Sequence, residues 1–181
     1  MKEEYVLEKK IKSSVLYITQ SAATAAIYVV LTVLFQPVSF GAVQLRVSEM
    51  LIVLPMFTSA AVPGLFIGCF FANILGGAVF WDVVFGSMAT LIGAYFSYML
   101  RNNRWLVPIP AVLSNALTVP FILKFAYGVD VPLPLLILYI TAGEFISCYI
   151  CGEILISAIQ KHSNIFSPTQ GTDNENNKNE E

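Results

Sequence analysis

Long apolar runs separated by short polar stretches form the main pattern along this chain. The runs 16–44, 50–81, 83–100 and 105–123 contain no Asp, Glu, Lys, Arg or His. A membrane span needs about 20 apolar residues, because the hydrocarbon core is about 30 Å thick. The runs are too long and too continuous for the alternating strands of a barrel. The pattern therefore predicts an all-α membrane protein.

The runs divide into six predicted transmembrane helices. Two of them share the run 50–81, with Pro63 and Gly64 near their boundary, so we expect both to be short or partly recessed. The other four cover about 14–35, 82–100, 107–127 and 132–160. The domain organisation is then a cytoplasmic segment at 1–13, a transmembrane domain at 14–160, and a polar, disordered cytoplasmic tail at 161–181.

Composition agrees with a membrane protein. Of the 181 residues, 56% are hydrophobic and 12% charged, which is too apolar for a soluble domain of this size. The chain has no cluster of basic residues that would indicate nucleic-acid binding. It also lacks a phosphate-binding G-x-x-x-x-G-K-[ST] loop, so it cannot drive ATP-dependent transport alone.

The distribution of Lys and Arg predicts the orientation in the membrane. With six spans both termini lie on one side, and we place that side in the cytoplasm of a bacterial cell. Two basic residues, Arg46 and Lys124, then lie outside. Those inside are Lys2, Lys9, Lys10, Lys12, Arg101, Arg104, Lys161 and Lys178.

Small residues recur every fourth position on two helices. Gly64, Gly68, Ala72 and Gly76 form a ridge that indicates close packing within the bundle. On the first helix Ala22 and Ala26 form a similar ridge. That ridge could serve the bundle or a partner protein, and both interpretations stay open.

Three ionisable residues in or beside the apolar runs are candidate ligand groups. A charge near the bilayer midplane costs roughly 2.5–3.5 kcal/mol, so such residues have functional roles by default. Arg46 and Glu49 are three residues apart and could face each other, either as a helix-end ion pair or as part of a site. Glu144 has no basic residue within a turn. It is either a hydrogen-bonded neutral acid or a group that binds a ligand.

Three further polar residues are candidates. Asn73 and Asn115 offer a donor and an acceptor side by side, which suits recognition of a nucleobase, although helix–helix hydrogen bonding is an equal alternative. Pro120 should free backbone polarity near Asn115. Asp82 follows Trp81, a pair that suits a cationic ligand or simply a helix start.

No residue pattern indicates catalysis. Cys148 and Cys151 form a C-x-x-C without a second pair, and His162 is the only histidine and follows the last span. We therefore expect no catalytic residue, no metal and no cofactor. The candidates favour binding of a small, polar, planar and cationic molecule at an outward-opening site. A thiol oxidoreductase using the two cysteines and a self-sufficient channel are the alternatives from other classes.

Several short motifs resemble the QueT family over roughly residues 15–160. The most specific is Gln44-x-Arg46-x-Ser48-Glu49. The others are Pro37-Val38-Ser39-Phe40-Gly41, Leu54-Pro55, Pro63-Gly64-Leu65, Gly68-Cys69, Ala72-Asn73, and Asp82 followed by Phe85-Gly86-Ser87.

The resemblance implies a substrate-binding S component of an energy-coupling factor (ECF) transporter. Such a protein has six helices with both termini cytoplasmic, and it works with a module of one transmembrane coupling protein and two ATPases. Ala22 and Ala26 fit the A-x-x-x-A motif through which S components contact the coupling protein. The implied substrate is a queuosine precursor, first of all preQ1, an aminomethyl-deazaguanine, with queuine or another vitamin as alternatives.

A ligand of this kind gives the candidate residues roles. We expect Glu144 and Glu49 to divide the base edge and the ammonium group between them, and Asn73 and Asn115 to orient the base. Arg46 would hold Glu49 and help close the loop between the first two helices. Asp82 is a weaker candidate for the ammonium.

Overall fold

The computed structural model describes residues 2–36 and 46–161, and within them every regular element is helical. The α-helices are α1 (Lys2–Leu34), α2 (Ala61–Leu75), α3 (Ser87–Met99), α4 (Ile109–Phe125), α5 (Leu133–Phe145) and α6 (Gly152–Lys161). A 3-10 helix (Val47–Met56) precedes α2. The first π segment (Asp82–Gly86) leads into α3, and the second (Ile146–Cys151) joins α5 to α6. The predicted all-helical fold is confirmed, whereas the motif at 37–41 and the tail beyond residue 161 lie outside the described residues.

Two helices are long and apolar enough to cross a membrane. They are Lys10–Leu34, within α1, and the continuous helix Leu133–Lys161, which consists of α5, the second π segment and α6. The remaining apolar helices of the described chain are shorter, including Val47–Met56, Ala61–Leu75 and Ile109–Phe125. The six-span arrangement and its orientation therefore remain predictions.

The second predicted helix differs from a regular α-helix. It is the 3-10 helix, which at about 2.0 Å per residue is only about 20 Å long. Pro55 lies inside it, and proline removes one backbone donor and clashes with the carbonyl four residues earlier. Most of its residues are buried, including Ser48 and Glu49. This short central element places Glu49 inside the bundle.

Close packing of α1 against α2 depends on glycine. A Cβ on Gly68 would lie 2.7 Å from Tyr28 Cβ and 3.0 Å from the Ala25 backbone. A Cβ on Gly64 would lie 2.6 Å from the Ser21 carbonyl oxygen. The small-residue ridge of α2 therefore packs on one face of α1, as predicted. That contact brings Tyr28 towards the centre of the bundle.

Contacts at the helix ends show how the helices alternate in direction. At one end, Gln36 donates to the Gly76 carbonyl at 3.5 Å, and the Val79 N–H donates to the Tyr127 hydroxyl at 3.2 Å. The helices α1, α2 and α4 therefore end on the same side of the bundle. At the other end, Arg104 Nε donates to Glu153 Oε2 at 2.6 Å. The first of these ends is the predicted outer end, and the second is the predicted cytoplasmic end.

Candidate functional site

The six predicted site residues are all buried within the helical bundle. Each has at most 2% of its surface exposed, and they come from five helical elements and the residue that precedes the 3-10 helix. They are Arg46, Glu49, Asn73, Asp82, Asn115 and Glu144. We call this group the polar centre. Buried polar groups are costly unless they are satisfied, so their hydrogen bonds indicate which of them are available to a ligand.

Asn73 connects two parts of the polar centre. The Arg46 guanidinium donates to Asn73 Oδ1. Asn73 Nδ2 donates to the Asp82 carbonyl oxygen at 3.2 Å and lies 3.7 Å from Cys69 Sγ. Both ends of this amide are therefore engaged within the protein, joining the start of the 3-10 helix to the first π segment.

Glu49 is held by hydroxyl groups from two helices. The Tyr28 hydroxyl donates to Glu49 Oε1 at 2.5 Å, and Thr90 Oγ1 lies 3.4 Å from the same oxygen. The second oxygen, Oε2, accepts no hydrogen bond from the described residues. This carboxylate is thus fixed in position and retains one oxygen for another donor.

Glu144 lies beside the second π segment and faces two other elements. Cys148 Sγ lies 3.4 Å from Glu144 Oε2 and 3.7 Å from the Glu49 carbonyl oxygen. The Asn115 amide on α4 faces the Glu144 carboxylate. Neither Oδ1 nor Nδ2 of Asn115 makes a hydrogen bond of ordinary geometry within the described chain.

Asp82 is held at the outer end of the polar centre. Its Oδ2 accepts a hydrogen bond of 3.1 Å from the Tyr127 hydroxyl, whereas Oδ1 accepts none from the described residues. A Cβ on Gly86 would lie 2.7 Å from Oδ1, so glycine provides the room for this oxygen. Burial, together with the Asp82 charge, raises the pKa of Tyr127. Tyr127 therefore stays a donor to Asp82 at neutral pH.

Sequence reasoning missed several groups that contact the polar centre. Tyr28, Thr90 and Tyr127 donate to its carboxylates, and Cys148 contacts Glu144. The sequence gives little indication of such contacts, because a Ser or Thr hydroxyl in an apolar run usually bonds to its own helix backbone. Cys148 was considered only as half of a C-x-x-C. The described cysteines, which include Cys148 and Cys151, are free thiols.

Three residues outside the polar centre also have clear positions. Glu153 forms an ion pair with Arg104 at the predicted cytoplasmic end. Ala22 and Ala26 are exposed on α1, whereas Thr24 and Ala25 between them are buried. The ridge of Ala22 and Ala26 is therefore turned away from the bundle.

A groove of about 430 Å³ lies elsewhere, between the first π segment and α4. Its lining is mainly apolar and aromatic and includes Trp81, Phe85, Phe121 and Phe125. None of the six residues of the polar centre lines it. Among the described residues, no group of three or more His, Cys, Asp or Glu side chains is arranged to hold a metal ion.

These features describe an all-helical protein with membrane-length helices around a buried polar centre. The QueT transporter family model matches residues 18–161, and the chain belongs to this family. The resemblance seen in the sequence is therefore confirmed.

One curated relative extends the comparison. The queuosine precursor transporter QueT of Lactococcus lactis subsp. cremoris (strain MG1363) is 37% identical to this chain over 84 residues. The match covers 45% of this chain and 48% of the relative, so the chain spans about half the length of the curated relative it matches. The comparison with solved structures gave no match.

Proposed function

We propose that this protein is the substrate-binding S component of an ECF-type importer and that it captures the queuosine precursor preQ1. Membership of the QueT transporter family supports transport, and the similarity to a queuosine precursor transporter supports a queuosine precursor as the substrate. In this proposal the ligand enters from the outer side and is delivered across the membrane by a shared ATP-driven module.

The observation that carries the substrate assignment is the balance of charged groups in the polar centre. Three buried carboxyl groups, on Glu49, Asp82 and Glu144, accompany one arginine, Arg46. Buried charges are costly unless they are paired, so a cationic ligand complements this set better than a neutral or anionic one. The aminomethyl group of preQ1 is an ammonium near neutral pH and provides that charge.

The ring of preQ1 matches the remaining polar groups. A guanine-like edge presents two adjacent N–H donors, which one carboxylate can accept, and a carbonyl oxygen that needs a donor. We assign the ring edge and the ammonium to Glu144 and Glu49, with Asp82 as an additional acceptor for the ammonium. Asn115 orients the base, and Arg46 supports Glu49. Asn73, expected from sequence to orient the base, is better suited to holding Arg46 because its amide is already engaged.

The exposed ridge on α1 supports the second half of the proposal. Ala22 and Ala26 are exposed together on a helix whose other small face already packs on α2. A ridge of small residues lets another helix approach closely in a membrane. We assign it to the coupling protein of the ECF module, which would connect ATP hydrolysis to release of the ligand inside the cell.

Uptake of labelled preQ1 into proteoliposomes tests the function. The expected result is uptake that needs the coupling protein, both ATPases, and ATP on the side of the membrane that corresponds to the cytoplasm. Uptake by this protein alone would instead support a self-sufficient channel. A variant with both Cys148→Ser and Cys151→Ser should keep ATP-dependent uptake, and loss of uptake with retained ligand binding would favour the thiol alternative.

Two replacements of glutamate by neutral glutamine test whether preQ1 binds at the polar centre. Glu144→Gln and Glu49→Gln should each weaken preQ1 binding by about 10- to 150-fold, because hydrogen bonds to charged groups are worth roughly 1.5–3 kcal/mol. The matched control is Asp130→Asn, which neutralises a fully exposed carboxylate in the loop before α5 and should leave binding unchanged. Unchanged affinity in both glutamate variants would contradict the site assignment.

A further inference from the structure

Ser147 has a hydroxyl with unused hydrogen-bonding capacity. Seven other hydroxyls of the described helices donate to the carbonyl oxygen four residues earlier, which satisfies them within their own helix. They belong to Thr19, Thr24, Thr32, Ser87, Thr90, Thr141 and Ser157. Ser147 is fully buried, yet its Oγ makes no hydrogen bond with any described residue. It lies in the second π segment, where the wider helix changes the position of the preceding carbonyl groups.

The position of Ser147 relates it to Glu144. Ser147 and Cys148 follow Glu144 by three and four residues, and residues at these separations are neighbours on the surface of an α-helix. Cys148 contacts Glu144 and the Glu49 carbonyl oxygen. Ser147, the residue before it, is buried and its hydroxyl still has a donor and an acceptor available.

The two side-chain amides of the polar centre, Asn73 and Asn115, differ in how fully they are hydrogen-bonded. Asn73 is engaged at both ends, by Arg46 and by the Asp82 backbone. Asn115 is equally buried and faces Glu144, but neither Oδ1 nor Nδ2 makes a hydrogen bond of ordinary geometry in the part of the chain that the structure describes. A buried amide without well-formed hydrogen bonds costs stability, and a ligand that bonds to it would recover that loss.

We propose that Glu144, Asn115 and Ser147 form the subsite that reads the hydrogen-bonding edge of the ligand ring, and that Asn73 is a positioning residue. This inference rests on the proposed function, because the edge in question is that of a deazaguanine. Glu144 accepts the two adjacent ring N–H donors, Asn115 donates to the ring carbonyl, and Ser147 donates to or accepts from the remaining edge atom. Asn73 holds Arg46 and the first π segment and does not touch the ligand.

Calorimetric titration of the full-length protein in detergent tests the subsite with two ligands. They are preQ1 and 7-deazaguanine, which has the same ring edge and no aminomethyl group. Ser147→Ala should weaken binding about 3- to 10-fold, and Asn115→Leu about 10- to 100-fold. Each variant should weaken both ligands by the same factor. A loss seen with preQ1 and absent with 7-deazaguanine would place these residues at the ammonium instead and would overturn the inference.

Thermal unfolding without ligand provides the matched controls. Ser147→Ala and Asn115→Leu should unfold at or above the wild-type temperature, because they remove buried polar atoms that make no hydrogen bond of ordinary geometry. Ser97→Ala removes a hydroxyl bonded to the Val107 carbonyl at 2.6 Å, and Asn73→Leu removes an engaged amide. Both should unfold at a lower temperature, and Ser97→Ala should still bind preQ1 normally.

The outcomes separate the two proposals. If the wild-type protein binds neither ligand, the proposed function fails. If it binds both while Ser147→Ala and Asn115→Leu bind equally well, only the subsite is overturned. The unfolding comparison stands apart from the ligand: an Asn115→Leu variant less stable than Asn73→Leu would contradict the roles assigned to the two amides.

Discussion

Tyr28 on α1 donates its hydroxyl to Glu49 on the 3-10 helix at 2.5 Å. Both side chains are almost completely buried, at 1% and 0% exposure. The contact exists because Gly68 on α2 lets α1 approach closely at Tyr28. Close helix packing and the position of a candidate ligand group therefore depend on the same interface.

Replacing Tyr28 with Phe should test this contact with little change in shape. The variant keeps the packed ring but removes a donor from a buried carboxylate, which should cost roughly 1.5–3 kcal/mol of folding free energy. Thermal unfolding in detergent gives the measurement. The control is Tyr17→Phe on the same helix, where the side chain is 43% exposed, and equal stability of the two variants would contradict a special role for Tyr28.

A second prediction concerns the contact between α1 and α2 at Gly68. Gly68→Ala should destabilise the protein by about 1–3 kcal/mol, since the new methyl group meets the α1 backbone. Gly77 provides a contrasting position, because its φ is +74° and a Cβ there meets nothing within 4 Å. Any loss in Gly77→Ala would come from backbone strain alone. A Gly68→Ala variant that unfolds at the wild-type temperature would contradict this packing of α1 on α2.

The exposed face of α1 should matter to association and not to folding. Ala22→Leu and Ala26→Leu place large side chains on a face that does not pack on the bundle. Unfolding temperature and preQ1 affinity should stay at wild-type values, while copurification with the ECF module should fall. A variant that loses stability, or one that copurifies normally, would contradict the assignment of this face to the coupling protein.

The stability contributed by Tyr127 at the outer end of the polar centre should depend on pH. Its pKa is raised above the ordinary value of about 10 by burial and by Asp82. The unfolded chain therefore loses this proton first as the pH rises. Stability from the Tyr127–Asp82 contact is full below about pH 10 and is lost as the pH passes through the folded-state pKa.

The comparison with Tyr127→Phe isolates that contribution. The variant should be less stable than the wild type at pH 8, and the difference in unfolding temperature should shrink above about pH 10. Other titrating groups are common to both proteins and cancel in the difference. A difference that stays constant from pH 8 to pH 11 would show that the hydroxyl does not titrate in this way.

The charged members of the polar centre could be predicted because an ionisable residue stands out in an apolar run. Glu49 and Glu144 were found in this way, and the structure buries both. Ser147 could not be found because its hydroxyl resembles the many Ser and Thr hydroxyls that bond to their own helices, and Tyr28 could not be found because tyrosine in an apolar run resembles a packed aromatic residue. Only the positions of neighbouring helices show which hydroxyl contacts a carboxylate.

The fold shows the same division between what hydropathy encodes and what packing determines. The apolar runs predicted the helical segments, and the run 50–81, shared by two helices, predicted a short second helix. Hydropathy does not distinguish a 3-10 or π turn from an α turn, since a continuous apolar run is compatible with all three. The two π segments that contain Asp82 and Ser147 therefore had no signal in the sequence.

The measurement to make first is calorimetric titration of the purified wild-type protein with preQ1, beside Glu144→Gln and the Asp130→Asn control. We expect one-to-one binding of preQ1 to the wild type, much weaker binding of guanine, and a loss of affinity of at least about tenfold in Glu144→Gln but not in Asp130→Asn. Equal binding of preQ1 by the wild type and Glu144→Gln would contradict the buried polar centre as the binding site. Absence of preQ1 binding to the wild type would contradict the proposed substrate itself.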